Sequence, residues 1–384
     1  MNEIGWQGGV NYFSSLLAAI QSLPNAKIQP IVFAGNKSDV SALENQVEIV
    51  RVSSLDRFSF GWWQNKLLNR IGIYRDYALF SVMQRHKIDF VSHNDRLWRG
   101  CGIPFMGWIP DFQHLHLPHF FTQRELSHRD ASFARMIHKS DAILLSSQNA
   151  LNDLHKFCPG NTTPTYVLRF VPSLSRDINP PPKDELAGRY RLNQPWFHLP
   201  NQFWAHKNHG IVIEALHLLK EQGIEVLVVA TGSTKDYRNP NYFNTLLDRI
   251  NEYDLQKNFL AVGMIPYEDV VGLMHYSIAT INPSLFEGWS TTVEESKVMG
   301  KRILLSDIGV HREQNPHRGL YFDPHSAEDL ANKIKIASNG HIENEENHFQ
   351  AEANLLHPQN IRRFAETYQE IVLEIMANSS WKKP

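Results

Sequence analysis

Two glutamates eight positions apart, Glu287 and Glu295, stand in the stretch NPSLFEGWSTTVEESKVMG at 282–300. A short apolar run at 277–281 ends in Asn282-Pro283-Ser284, a polar turn containing Gly288 follows, and a helical pattern resumes at Thr291. The pattern predicts a strand, a tight loop and a helix start. Thr291 with Glu294, and Thr292 with Glu295, have capping-box spacing, so the helix must begin near there. The free N–H groups and positive dipole end of such a helix point back at the loop, which suits a phosphate. A carboxylate beside that site can accept hydrogen bonds from sugar hydroxyls. Taken singly, each acid has a plainer reading: Glu287 as a solvated loop acid, Glu295 as a helix cap.

Two other loops carry residues of the same kind. Lys207 lies in the polar loop 201–209, between a strand at 196–200 and a helix at 210–220, and such loops sit at the carboxyl edge of a parallel sheet, where ligands bind. In WIPDFQHLHLPHFF at 108–121 a strand ends at Ile109-Pro110, and Asp111, His114, His116 and His119 follow in a loop. The histidine spacing matches no zinc site, and no metal is expected. Near the start, Gly8-Gly9 precedes an apolar helical pattern at Tyr12, Leu16, Leu17 and Ile20. By itself a glycine pair there marks a turn.

Strand, Pro-Ser, aromatic-Glu-Gly and a second Glu eight residues on resemble the signature of retaining glycosyltransferases of the GT-B fold, family 4 (glycosyl transferases group 1). The resemblance implies that Glu295 holds the ribose of a nucleotide sugar, and that Gly288, Trp289, Ser290 and Thr291 hold its diphosphate with the helix N-terminus. Glu287 matches the first acid of the signature. It implies further that Lys207 meets the diphosphate and that Gly8 and Gly9 let bare backbone approach the donor. Gln202 stands where the family often has an arginine, Trp289-Ser290 where it often has Phe-Gly, and Pro110 where it has the histidine of a His-Asp pair. Asp111 matches that pair, with His114 the histidine able to reach back. By the resemblance the catalytic candidates are Lys207, Glu287, Asp111 and His114. The donor substrate is a nucleotide-diphosphate sugar, no cofactor is implied, and no protein nucleophile is assigned.

The elements that must position these residues alternate regularly. Apolar runs at 30–34, 47–52, 88–92, 103–108, 141–146 and 165–171, separated by helical stretches without hairpin dipeptides, predict a parallel α/β sheet in the front half. A turn-rich linker with Pro180-Pro181-Pro182 follows, and six further strands alternate with helices from 196 onward. The expected class is α/β, with two Rossmann-like domains. By the resemblance they face each other across a cleft, and a C-terminal helix crosses back to the first domain. The expected bounds are 1–172 with 360–384 packing back on it, a linker at 173–195, and a nucleotide-sugar domain at 196–359. Polar residues 339–350 are expected as a loop or frayed helix. Only seven residues precede Gly8, so the first strand is expected to be three or four residues or missing, or else the chain begins upstream.

Composition excludes several classes. The 384 residues are 42% hydrophobic and 20% charged, ordinary globular material for about two domains. No apolar run of about 18 residues predicts a spanning helix, and the start lacks a signal-peptide pattern. Two cysteines, Cys101 and Cys158, point to a reducing compartment, hence a cytoplasmic protein. Residues 1–172 carry 17 Lys/Arg against 13 Asp/Glu, and 173–384 carry 21 against 27, too weak an asymmetry for a nucleic-acid partner but compatible with a front half resting on an anionic membrane. The segment 57–74, RFSFGWWQNKLLNRIGIY, reads either as an amphipathic core helix or as an interfacial helix. The functional expectation is retaining transfer of a sugar to a saccharide or lipid-linked saccharide, in envelope polysaccharide or lipopolysaccharide synthesis, with possible peripheral membrane contact. A nucleotide-sugar 2-epimerase and a non-catalytic carbohydrate-binding scaffold are the alternatives.

Overall fold

The computed structural model describes residues 7–71, 73, 75–94, 96–98, 100–173, 180–340 and 343–378. The chain divides into two compact units: Met1–Phe112 with Gln123–Ser173 and Asn360–Pro384, and Gln113–Thr122 with Leu174–Gln359.

In the front unit, β1 (Ile31–Ala34) pairs in parallel with β2 (Glu48–Arg51), and β3 (Val91–Ser92), β4 (Phe105–Ile109), β5 (Ala142–Leu145) and β6 (Thr165–Val167) form a parallel sheet in that order. Every residue of β5 is buried, which is why it reads as an unbroken apolar run rather than an alternation. A strand ahead of Gly8 would lie outside the described residues. The helix expected after Gly8-Gly9 begins at Gln7 and runs to Gln21, so both glycines lie in its first turn and not in a preceding loop. First-turn N–H groups need no partner within the helix, so glycine there leaves bare donors at the helix start.

The rear unit holds β7 (Trp196–Leu199), β8 (Leu227–Thr231), β9 (Phe259–Gly263), β10 (Thr280–Asn282), β11 (Ile303–Ser306) and β12 (Gly319–Phe322). All pair in parallel, in the order β12-β11-β10-β7-β8-β9. The chain builds outward from β7 to β9, then returns to lay β10 on the other side of β7. That is the doubly wound Rossmann order, and the reversal between β7 and β10 is the switch point at whose carboxyl edge ligands bind.

Two segments differ from expectation. The linker contains a helix, Lys183–Tyr190, held on the helix Tyr267–Tyr276 by the buried Asp269, which accepts hydrogen bonds from Arg189 (2.5 Å) and from the Tyr190 hydroxyl. Residues from Glu343 onward are helical, part of one helix to Asn378 with Pro358 inside it. Glu346 explains the start: it accepts from the buried Lys301 at 3.2 Å and from Arg318 at 2.6 Å, so a polar stretch is pinned as helix by two cations no local pattern reveals. Among the described residues, no helix is long and apolar enough to cross a membrane.

Candidate active site

The loops after β7 and β10 carry the rear unit's candidates to one sheet edge. Lys207 ends a short 3-10 turn, Ala205–Lys207, and its Nζ lies 2.6 Å from Glu287 Oε1. The Leu285 N–H donates to the His206 carbonyl at 2.8 Å, so the two loops are joined by backbone as well as charge. Ser284 Oγ donates to Glu287 at 2.6 Å. The Ser284 carbonyl is itself fixed by Ser306 Oγ at 2.5 Å, and Ser306 is buttressed by the buried His311, whose Nδ1 donates to its carbonyl at 2.8 Å.

The helix Thr291–Val298 begins where the capping pattern predicts, but its N-cap is Ser290. Ser290 Oγ accepts from Val293 N–H at 3.4 Å and from Asn282 Nδ2 at 2.7 Å, while Ser290 N–H donates to Gln314 Oε1 at 3.3 Å. The hydroxyl oxygen and the N–H of Ser290 are therefore both engaged inside the protein, as is its carbonyl, which accepts from Gln314 Nε2 at 2.9 Å. Asn201, at the end of β7, completes the brace: its Nδ2 donates to Asn282 Oδ1 and its Oδ1 accepts from Thr292 Oγ1, each at 3.3 Å. The N–H groups of Thr291 and Thr292, the first two of the helix, have no acceptor within it, as at any helix start.

Glu287, its side chain 10% exposed, and Glu295, 9% exposed, are similarly shielded from solvent, yet their surroundings drive them apart. Burial pushes the Glu287 carboxyl up, but the Lys207 ammonium and hydrogen bonds from Lys207 and Ser284 more than offset this and hold it below the usual carboxylate range. Among the described residues no cation acts on Glu295. Burial raises its carboxyl to about 7, against a single hydrogen bond from the Tyr267 hydroxyl at 3.0 Å. One acid is held ionised and the other is poised near neutrality, the separation expected of carboxylates with different tasks.

Gly232, after β8, fits the loop only because it has no side chain. Its φ is 140°, and a Cβ there would stand 2.5 Å from the Asn201 carbonyl oxygen. Gly232→Ala is expected to cost about 2 kcal/mol or more, and thermal denaturation should show a melting temperature lowered by roughly 5 °C. Gln202 lies beside this contact, its carbonyl accepting from Trp204 N–H at 2.7 Å. Gly288 and Trp289 lie in the loop between Glu287 and the cap.

The 108–121 stretch is divided between the units after Phe112. Asp111, in the front unit, has its Oδ1 3.6 Å from Arg129. His114 is buried in the short helix Gln113–His116, grouped with the rear unit. Among the described residues, no cluster of three His, Cys, Asp or Glu has the geometry of a metal site. Sequence reading passed over His93 at the end of β3, which holds a φ of 55°, in the left-handed region, and bonds the Tyr12 hydroxyl at 2.8 Å and Ser92 Oγ at 2.6 Å. A non-glycine residue strained this way at a sheet edge is a recurrent mark of a functional position. It also missed Tyr267, which touches Glu295 and has no motif of its own, and the hydrogen bond by which Ser284, read only as part of the Pro-Ser turn, holds Glu287.

Residues 191–354 match the family described as Glycosyl transferases group 1. The rear half carries a glycosyl transferases group 1 domain. The whole chain is similar in fold to a glycosyltransferase from Rickettsia africae ESF-5, at 18% identity with a TM-score of 0.69, covering 97% of this chain and 96% of that one. It is similar to Anabaena HepE, solved in complex with UDP and glucose, at 14% identity with a TM-score of 0.69, covering 97% and 98%. A third likeness is to WaaG, a glycosyltransferase involved in lipopolysaccharide biosynthesis, at 14% identity with a TM-score of 0.61, covering 98% and 97%. No curated protein matches the sequence significantly. The protein is a glycosyltransferase of the GT-B fold. In this glycosyltransferase the Lys207–Glu287 pair and Glu295 occupy the switch point of the group 1 domain.

Proposed function

We propose that the protein transfers a hexose from a nucleotide-diphosphate sugar to a saccharide or lipid-linked saccharide, with retention of anomeric configuration and without a metal, in envelope polysaccharide or lipopolysaccharide synthesis. The observation that carries this reading is the buried Lys207–Glu287 pair beside a helix N-terminus at the switch-point edge, with Glu295 in the same helix. In this reading Glu295 accepts from the ribose hydroxyls, and Gly288, Trp289 and Thr291 present backbone N–H groups to the diphosphate. Lys207 and the helix end then stabilise charge on the leaving diphosphate, as fixed dipoles and cations do where charge develops. The bond from the anomeric carbon to the phosphate oxygen breaks, a bond to the acceptor oxygen forms on the same face, and the acceptor proton leaves with the phosphate oxygen. Gly8, Gly9, Asp111, His114 and His93 are proposed to serve the transferred sugar and acceptor.

The free thiols Cys101 and Cys158 support a cytoplasmic setting, and a lipid-linked acceptor would be met there at a membrane face. HepE's complex with UDP and glucose makes UDP-hexoses the first donors to test. Thermal-shift screening of nucleotide sugars, followed by transfer assays with product anomers read by NMR, is expected to give an axial-to-axial or equatorial-to-equatorial outcome. Rapid turnover of donor without acceptor would favour the 2-epimerase instead, and binding without transfer across a broad acceptor screen would favour a scaffold.

A further inference from the structure

The helix Phe60–Arg70 presents its apolar stripe to solvent. Phe60, Trp63, Leu67 and Ile71 recur at steps of three, four and four, which places them along one side of a helix. A surface helix ordinarily turns such a stripe inward. Here the four side chains are 87%, 51%, 63% and 67% exposed, and no residue of the helix is buried. Phe58, just ahead, is 65% exposed and sits at a φ of 68°, a strained conformation for a bulky residue, with its ring 6.4 Å from that of Trp63.

What holds the helix is its glycine. A Cβ at Gly61 would stand 2.7 Å from Ser54 Cβ, so the helix backbone lies directly on the turn Ser53–Leu55, with Trp62 and Leu68 half-buried while Phe60, Trp63 and Leu67 stay outside. Ser59 caps the start, its Oγ accepting from Trp62 N–H at 3.1 Å. Charge in the segment has one sign. Residues 57–71 contain Arg57, Lys66 and Arg70 and no acid. Lys66 Nζ lies 4.8 and 5.0 Å from the Trp62 and Trp63 rings, and the Arg57 guanidinium 5.3 Å from the Phe58 ring.

We infer that residues 57–71 form a docking surface for an anionic lipid bilayer, with Phe58, Phe60, Trp63, Leu67 and Ile71 entering the headgroup boundary and Arg57, Lys66 and Arg70 lying against lipid phosphates. Exposure removes the core-helix alternative that the sequence leaves open. The combination of an outward apolar stripe, tryptophan and an all-basic flank matches an interfacial helix. Charge complementarity selects anionic lipid as the occupant. The surface extends the transferase reading by naming where a lipid-linked acceptor is met, and its biological purpose rests on that reading although its binding does not.

The test uses the full chain with phosphatidylglycerol-containing vesicles and with phosphatidylcholine vesicles, at low and high salt. The protein is expected to co-sediment with the former, to show blue-shifted tryptophan emission, and to release as salt rises. Phe60→Ser with Trp63→Ser and Leu67→Ser should weaken binding by at least about tenfold with an unchanged melting temperature, since those side chains make little of the fold. Lys66→Glu with Arg70→Glu should abolish the preference for anionic vesicles. The proposal is overturned if the wild type ignores anionic vesicles, if the triple variant binds as wild type, or if the triple variant melts far lower. It is equally overturned if sedimentation equilibrium finds a dimer that the triple substitution dissolves, because a second copy would then cover the stripe. Vesicle binding is read without donor or acceptor, so its failure would leave nucleotide-sugar turnover with a water-soluble acceptor unaffected.

Discussion

Lys207→Ala is expected to lower kcat/KM for the nucleotide-sugar donor by roughly a hundred- to a thousandfold, the usual loss when one group stabilising developing charge is removed. The same substitution should also destabilise the protein. Lys207 is the cation 2.6 Å from Glu287, and the two side chains are only 18% and 10% exposed. Removing one partner of such a pair leaves the other buried and uncompensated, at a cost of about 3 kcal/mol. Glu287 would then respond to its burial and take up a proton, since Ser284 and His311 offset that burial far less than the ammonium does. A second variant separates the two effects. Lys207→Met with Glu287→Gln removes both charges and should recover most of the stability, since a neutral pair of similar volume carries no desolvation penalty, but it should recover none of the turnover. Urea denaturation and steady-state kinetics on the single and double variants form the cycle. Recovery of activity together with stability would show that the pair is architectural and takes no part in transfer.

Glu295→Ala is expected to weaken nucleoside-diphosphate binding by about 1.5–3 kcal/mol, the range for hydrogen bonds to a charged acceptor. Its pH dependence follows from a carboxyl raised to about 7 by burial. The ionised form is the better acceptor for ribose hydroxyls, so donor affinity in the wild type should rise as pH climbs through about 7 and level off above it, and the Glu295→Gln variant should lack this rise. Stability has the opposite slope. Below the unfolded carboxyl's ordinary value of about 4.5 both states are protonated and no penalty exists; between there and about 7 the unfolded chain releases a proton that the folded protein retains. The native state is therefore progressively disfavoured across that window, by up to ~3 kcal/mol from this group. Glu295→Gln should flatten this part of the stability profile and be the more stable protein above pH 7. Calorimetric titration with UDP and chemical denaturation from pH 4 to 8 would measure both slopes, and parallel profiles for wild type and Glu295→Gln would contradict the assignment.

The sequence by itself determined the α/β class, the alternation of strands and helices, and the loops that end at a sheet edge. These are local properties. A strand buried on both faces reads as a mainly apolar run, as β5 does throughout and β7, β8 and β11 do apart from the buried His198, Thr231 and Ser306, and a helix that starts after a polar turn must be capped within a residue or two, as the helix at Thr291 is. Residue types at chemically suggestive spacing, such as Glu287 and Glu295, could be read in the same way. The tertiary structure decided what those types do. Lys207 and Glu287 are eighty residues apart and meet because β7 and β10 are neighbours across the reversal in strand order. That meeting holds one glutamate ionised, while Glu295, bonded to the Tyr267 hydroxyl, is raised toward neutrality by burial; no local pattern separates two acids of the same kind. Ser290 looked available for a ligand and is consumed by its own helix and by Gln314. Glu346 turns a polar stretch into helix through cations some thirty and forty-five residues away. In 57–71 periodicity could establish an apolar stripe but not its direction, because direction depends on the neighbour that Gly61 allows the backbone to touch, and that neighbour is chosen by the fold.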